Sequence, residues 1–250
     1  MKLHSLTVRL LLRKTPVESR RGLTRGNAAE HLRPDVVLSE ESRRSFSERF
    51  KLYKTPRKLE KDAVNQAAVL VPLCNYNGEL GLLYTLRSTK LSSNRGQVSF
   101  PGGMRDDEDQ HLQDTALRET WEELKIPREK VDVWSSGNVI GKKNVNVLPV
   151  FGYVGDLDPT KLQINPDEVE EAFVVSLRNL CELSNCRFTQ FRDSYTLPTY
   201  LAGKHRIWGF TAAITHMVLS ALVPRVYKHK LVHLRPILSN NKSINDQTSL

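Results

Sequence analysis

Gly102-Gly103, followed at Thr115-Ala116-Leu117-Arg118-Glu119-Thr120-Trp121-Glu122-Glu123-Leu124, is the stretch on which the reading of the whole chain turns. On a helix of about 100° per residue, Glu122 falls near −60° and Glu123 near +40° of Glu119, so three carboxylates share one face. Leu117, Trp121 and Leu124 fall near the opposite side and make the expected buried face. Like charges three and four residues apart repel, so such a helix needs an offset. Arg118 is one; a divalent cation taking several carboxylate oxygens is another. Glu-rich helix faces are commonly just solvated. Gly102-Gly103 upstream sets this one apart, because a turn with so little bulk tolerates positive φ and brings backbone amides close to whatever the carboxylates hold.

Outward from this helix the period becomes that of strands. Ala63 to Leu73 is a β-type apolar run, Asn77-Gly78 is a hairpin turn, and Leu80 to Leu86 is the returning strand. Arg87 to Asn94 reads as a polar loop, and Val98-Ser99-Phe100 as a brief strand stopped by Pro101-Gly102-Gly103. The charged helix is expected from about Gln110 to Leu124, closed by Pro127. Val131 to Gly137, Val145 to Val154 and Glu170 to Ser176 follow as strands. Arg206-Ile207-Trp208-Gly209 opens as strand or loop and leads into a helix stopped by Pro224. Upstream, Phe46, Phe50 and Tyr53 recur at near-helical spacing and predict a short helix with a linker ending around Pro56. Mixed strands around a charged helix, with a second helix near the end, predict an α/β sheet sandwiched between helices.

A chain of 250 residues with a 39% hydrophobic fraction buries one substantial core. No run approaches the roughly 20 apolar residues of a membrane span. The odd count of cysteines (Cys74, Cys181, Cys186) with no C-x-x-C pair argues against a disulfide framework or a zinc site, and for a reducing compartment. Net charge is +9, but residues 1–33 hold eight basic side chains against Glu18 and Glu30, leaving +3 for the rest. That near-neutral remainder speaks against nucleic acid as a partner. The leader itself, basic, hydroxyl-bearing and with Leu, Val and Arg alternating through Leu6 to Arg13, has the composition of a mitochondrial presequence. The terminal Gln247-Thr248-Ser249-Leu250 lacks the basic residue of an S-K-L signal, so a peroxisomal address is the weaker reading.

Gly103, Asp109 and Arg118-Glu119-Thr120-Trp121-Glu122-Glu123-Leu124-Lys125-Ile126 resemble the Nudix box, G-x5-E-x7-R-E-U-x-E-E-x-G-U with U apolar. Asp109 stands where the first Glu would be, one residue too far from Arg118, and Lys125 replaces the usual Gly. The first departure, with Thr115-Ala116-Leu117-Arg118-Glu119, is similar to Nudix enzymes that cleave coenzyme A; the second bears on the turn after the helix. Leu83 to Ser88, Gly96 to Gly103, Asn165 to Phe173 and Arg206 to Ala212 also look like segments of the coenzyme A diphosphatase subfamily, most like its mitochondrial animal branch. Ser92 and Asn94 stand where bacterial relatives often carry Arg and His.

The resemblance implies a Nudix-type α/β/α sandwich with a mixed sheet. It implies metal-dependent hydrolysis of coenzyme A or acyl-coenzyme A to (acyl-)4′-phosphopantetheine and adenosine 3′,5′-bisphosphate. Glu119 and Glu123 are expected to hold Mg²⁺ or Mn²⁺, with Glu122 a third ligand or the group orienting Arg118, and Glu119 or Glu122 serving as base. Arg87, Arg95, Gly102 and Gly103 are the expected substrate contacts. The box equally admits ADP-ribose, a dinucleotide or an RNA cap as substrate; a non-catalytic binding module is disfavoured by the intact glutamates. Residues 1–33 are expected as presequence, 34–62 as a helical and linker segment, 63–228 as the hydrolase domain and 229–250 as a polar tail. Three features carry blander expectations beside sharper ones. Asn165 to Glu171, acidic enough to suggest a second metal site, is expected to cap an element and line the domain edge. Trp208, able to stack on a base, is expected as a core plug, and His205 and His216 are expected as structural or exposed side chains.

Overall fold

The structure, a computed structural model, describes residues 25–53, 65–142, 144–190 and 196–230. Most of the basic leader, the linker end near Pro56, the strand start at Ala63 and the tail past Lys230 lie outside the described residues. In chain order the elements are α1 (Arg25–His31), α2 (Pro34–Val37), α3 (Glu40–Leu52), β1 (Asn65–Tyr76), β2 (Glu79–Arg87), β3 (Val98–Ser99), β4 (Gly102–Met104), α4 (Leu112–Leu124), β5 (Asp132–Ser136), β6 (Ile140–Lys142), β7 (Val145–Asp156), β8 (Val169–Ser176), α5 (Leu177–Cys181), β9 (Cys186–Gln190), β10 (Thr196–Tyr200) and α6 (Gly209–Leu222).

The sheet is mixed and runs β3-β2-β1-β7-β5, with β4 added to β1, β6 to β7 and β8 to β2; β9 and β10 form a separate hairpin. β1 and β7 are parallel over most of their length, and the remaining pairs are antiparallel. The Asn77-Gly78 turn forms as expected, with φ of 51° and 79°, both positive as a tight hairpin demands. Beyond Leu82, β2 parts from β1. β3 takes over beside β2 at Thr85 and Leu86, and β4 beside β1 at Ala67 to Val69. That parting opens the sheet where the charged helix docks.

α4 covers one face of the sheet, packing Ala116, Leu117 and Leu124 onto Ala68, Leu70 and Leu83. α3 and α6 cover the other, against Leu73, Leu82, Tyr84 and Phe151. This is the expected α/β/α sandwich. α6 is apolar nearly all round and is buried from Ala212 to Leu222 with few gaps.

The upstream helix is a full member of the second layer. Ser39 caps α3 by accepting from the Ser42 amide at 3.2 Å. Phe46 and Phe50 are both 0% exposed and stack at 5.0 Å. Arg43 forks onto Asp132 at 2.9 and 2.8 Å, and Arg49 donates to the Ala221 carbonyl at 2.7 Å. Burying two phenylalanines contributes about 2–3 kcal/mol each, so α3 stabilises the domain rather than merely preceding it. At the other end, His229 is buried, stacked on Tyr227 at 4.6 Å and bonded to the Cys181 carbonyl at 3.1 Å. Packing therefore reaches into the stretch whose polarity suggested a tail from 229.

Candidate active site

α4 begins two residues later than expected, at Leu112, where the Asp114 carboxylate accepts from the His111 amide at 2.9 Å. It ends in a left-handed turn at Lys125, φ 53°, whose amide donates to the Trp121 carbonyl at 2.9 Å. The turn usually made by glycine thus forms with a lysine held in a conformation that L side chains rarely adopt.

The buried stripe of α4 is centred near Thr120, about +100° from Glu119, instead of directly opposite it. Glu123, near +40°, therefore goes inside and is 3% exposed. Trp121, near +200°, comes out: it is 46% exposed, with the Lys125 ammonium 5.1 Å from its ring centre. The expectation of a buried Trp121 is corrected by that rotation.

Arg118 ties the carboxylates together. Its Nε and Nη2 donate to Asp109 at 3.1 and 3.0 Å, and its Nη1 to Glu119 at 3.1 Å and to both oxygens of Glu122 at 3.2 Å. The loop after Met104 absorbs the extra residue in the Asp109 spacing, and the ion pair still closes. Asp109 also accepts from the Thr115 hydroxyl at 2.8 Å and the Asp106 amide at 2.9 Å. The Arg118 guanidinium, aided by those two donors, holds the Asp109 carboxyl down at about 2 against its burial.

Gly102 and Gly103 are strand, not the expected turn, and each is required by a close approach. A Cβ on Gly102, at φ 151°, would meet the Ala68 carbonyl oxygen at 2.3 Å; one on Gly103 would meet the Glu119 carboxylate at 2.4 Å. The Gly102 amide hydrogen-bonds to Glu123. The glycines thus serve the carboxylates first, by letting β4 slide between β1 and α4.

A third acid arrives from far along the chain. The Asn165 amide donates to the Glu123 carbonyl at 2.8 Å, the Ser88 amide to the Glu168 carbonyl at 2.9 Å, and Asn165 Nδ2 to Glu168 Oε1 at 3.3 Å. These bonds pin residues 165–168 between α4 and the end of β2. One oxygen each from Glu119, Glu123 and Glu168 then lies within 4.8 Å of the others. The acidic stretch that suggested a cap therefore supplies a site residue, and its acidity was the signal in the sequence. Glu122 is not in this group; its carboxylate stays with Arg118.

Hard divalent cations fit this donor set. Glu123 Oε2 is buried without a hydrogen-bond partner among the described residues. Burial, then repulsion from Glu119, pushes the Glu123 carboxyl up to about 8, with Glu168 adding to the repulsion and Arg87 opposing it. Burial likewise raises Glu119 against the pull of Arg118. Crowded, desolvated carboxylates with an orphan oxygen lack a positive charge, which a divalent cation bound through oxygen ligands would supply.

Arg87 faces the group across β2 and carries a buried Nε with no partner among the described residues. Arg95 is exposed at the base of a loop that closes on Arg87, through Arg87 N to Gln97 O at 3.0 Å and Gly96 N to Arg87 O at 2.9 Å. His205 bonds to Glu171 at 2.9 Å and His216 to the Tyr227 hydroxyl at 2.7 Å, and neither belongs to the carboxylate group. Trp208 is only partly buried; the core position beside it belongs to Ile207, 0% exposed.

The pattern of the NUDIX domain family matches residues 64–195. Over 174 residues, 67% of this chain and 74% of the other, the sequence is 46% identical to the mitochondrial coenzyme A diphosphatase NUDT8 of Homo sapiens. The Mus musculus protein of the same name is 46% identical over 171 residues, covering 66% of this chain and 81% of its own. The peroxisomal coenzyme A diphosphatase NUDT7 of Mus musculus is 42% identical over 115 residues, covering 45% and 48%.

Proposed function

This chain belongs to the NUDIX domain family, and from that premise we propose that it hydrolyses the diphosphate bond of coenzyme A and its thioesters, releasing (acyl-)4′-phosphopantetheine and adenosine 3′,5′-bisphosphate. The observation that carries the reading is the gathering of Glu119, Glu123 and Glu168 around an orphan oxygen with Arg87 facing them. Its substrate follows from relatives that are 46% identical over two thirds of the chain and bear that activity in their names. The same relatives, with the basic leader, favour a mitochondrial address over a peroxisomal one.

In this reading Glu119, Glu123 and Glu168 would hold Mg²⁺ or Mn²⁺, and such a cation, when bound, would supply charge neutralisation at the diphosphate and acidify an attacking water. Arg118 keeps Glu119 and Glu122 in place. Arg87 offers its unpartnered Nε to a phosphate oxygen, Arg95 reaches the same anion from the base of its loop, and Glu122 orients Arg118 from the solvent side. Gly102 and Gly103 keep the approach to the carboxylates free of side chains.

Purified protein with Mg²⁺ or Mn²⁺, offered coenzyme A, acyl-coenzyme A, ADP-ribose, NADH and capped RNA, should cleave the first two in preference. A preference for any of the others sinks the substrate assignment. Glu119→Gln and Glu168→Gln should each lower kcat by about 10² to 10⁴-fold, the range for a positioned acid–base or charged group. Full activity of Glu168→Gln at an unchanged metal requirement would remove it from the site.

A further inference from the structure

Between β10 and α6 the chain alternates in a way that the carboxylate group does not use. Ile207 is buried and exchanges backbone hydrogen bonds with Tyr200 at 2.8 and 3.0 Å. In that extended segment the residues on either side project the opposite way. Arg206 is exposed and Trp208 partly so, with the guanidinium carbon 5.2 Å from the indole ring centre. The nearby Glu171 is taken by Lys204 at 2.8 Å and His205 at 2.9 Å. Among the described residues, Arg206 is left with Trp208 alone.

Two tethers place this pair relative to the site. His205 is bonded to Glu171 on β8, and the Thr211 hydroxyl donates to the Val98 carbonyl on β3 at 2.9 Å. Glu171 and Val98 both stand opposite Leu86 in their registers with β2. Trp208, between the tethers in sequence, is therefore held at the level of Leu86 on the α6 face of the sheet, around the end of β2 from Arg87, whose side chain alternates onto the α4 face with the carboxylates. Gly209, at φ 63°, then turns the chain sharply into α6 and leaves the indole outside the helix.

An indole beside a planar guanidinium is a stacking platform for a heterocyclic base and a fork for a phosphate. Resting on the reaction proposed above, the substrate has both: an adenine and a 3′-phosphate beyond the diphosphate that the glutamates and Arg87 would engage. We infer that Arg206 and Trp208 form the nucleoside subsite, Trp208 stacking on the adenine and Arg206 bonding to the 3′-phosphate. The pair is then a determinant of substrate choice within the same fold.

Calorimetric titration of the full chain with adenosine 3′,5′-bisphosphate tests this without turnover. Trp208→Ala should weaken binding roughly 10- to 100-fold, the range for a lost base–aromatic stack, and Trp208→Phe should keep most of it. Adenosine 5′-monophosphate should bind wild type more weakly than the bisphosphate, and Arg206→Ala should abolish that difference. In turnover the same loss for Trp208→Ala should appear in KM for coenzyme A. If wild type hydrolyses coenzyme A while neither variant changes nucleotide affinity, the subsite is overturned and the reaction stands. Trp208-dependent nucleotide binding in a protein that does not cleave coenzyme A keeps the subsite and overturns the reaction.

Discussion

Replacing Asp109 by Asn removes one charge from a 5% exposed carboxylate on which Arg118, Thr115 and Asp106 converge. The native carboxyl is held at about 2, against an ordinary value of 3.8. At about 1.4 kcal/mol per pKa unit, the charged form is favoured in the fold by about 2 kcal/mol. An amide keeps part of the hydrogen bonding but turns an N–H toward donors, so the cost should be at least that large. For a domain of this size the melting temperature should fall by about 4–8 °C. The sign with pH follows from the lowered value: the stabilisation is complete above the unfolded pKa near 4 and is lost as pH falls toward 2. Wild type and variant should therefore differ most at pH 5 to 7 and converge below pH 3. Arg118, freed on one side, should hold Glu119 less well and cost about 10- to 100-fold in activity, as loss of an outer partner of a metal ligand does. Thermal melts at pH 7, 5, 4 and 3 with parallel assays supply the check. Equal melting temperatures at pH 7, or a gap that persists unchanged at pH 3, would refute the reasoning.

Lys125→Gly should relieve the left-handed turn and raise stability by about 0.5–1 kcal/mol, net of the lost contact with Trp121. A lower melting temperature would show that the Lys125–Trp121 contact outweighs the backbone term. A chain begun at Pro34 should fold and retain activity, since α2 and α3 are intact. One begun at Tyr53 should not, because about 5 kcal/mol from Phe46 and Phe50 is a large share of a domain's net stability. Cooperative urea unfolding of the shorter chain would contradict that role for α3.

The strands flanking Asn77-Gly78 and the charged helix were legible because local period and turn chemistry dictate them. So was the shared placement of Glu119 and Glu123, one turn apart on a single helix, in a carboxylate group able to take a divalent cation. β4 was hidden: its two glycines signal a turn by propensity, yet tertiary closeness to Ala68 and Glu119 makes them strand. The acidity around Glu168 was visible, but its joining to Glu119 and Glu123 was not, because they lie about 45 residues upstream, linked through a backbone bond from Asn165 to Glu123 that no local pattern encodes. Trp121 and Glu123 were assigned to the wrong sides of the waterline, since spacing fixes angles between residues and only the sheet fixes which angle faces inward. Trp208 was read as core for its area, whereas the buried place went to Ile207, set by its bridge to Tyr200.

The bond from the Asn165 amide to the Glu123 carbonyl has a consequence in time. During synthesis, or during passage through a pore N-terminus first, α4 emerges well before Glu168. Until β8 zips onto β2, the helix presents two of the group's three acids, and the half-built group lacks the oxygen that closes it. The three-carboxylate group is then complete only late and all at once, with the docking of that strand. A nascent chain carrying every residue of the box through Ile126 would remain chemically mute until some 40 more had followed it.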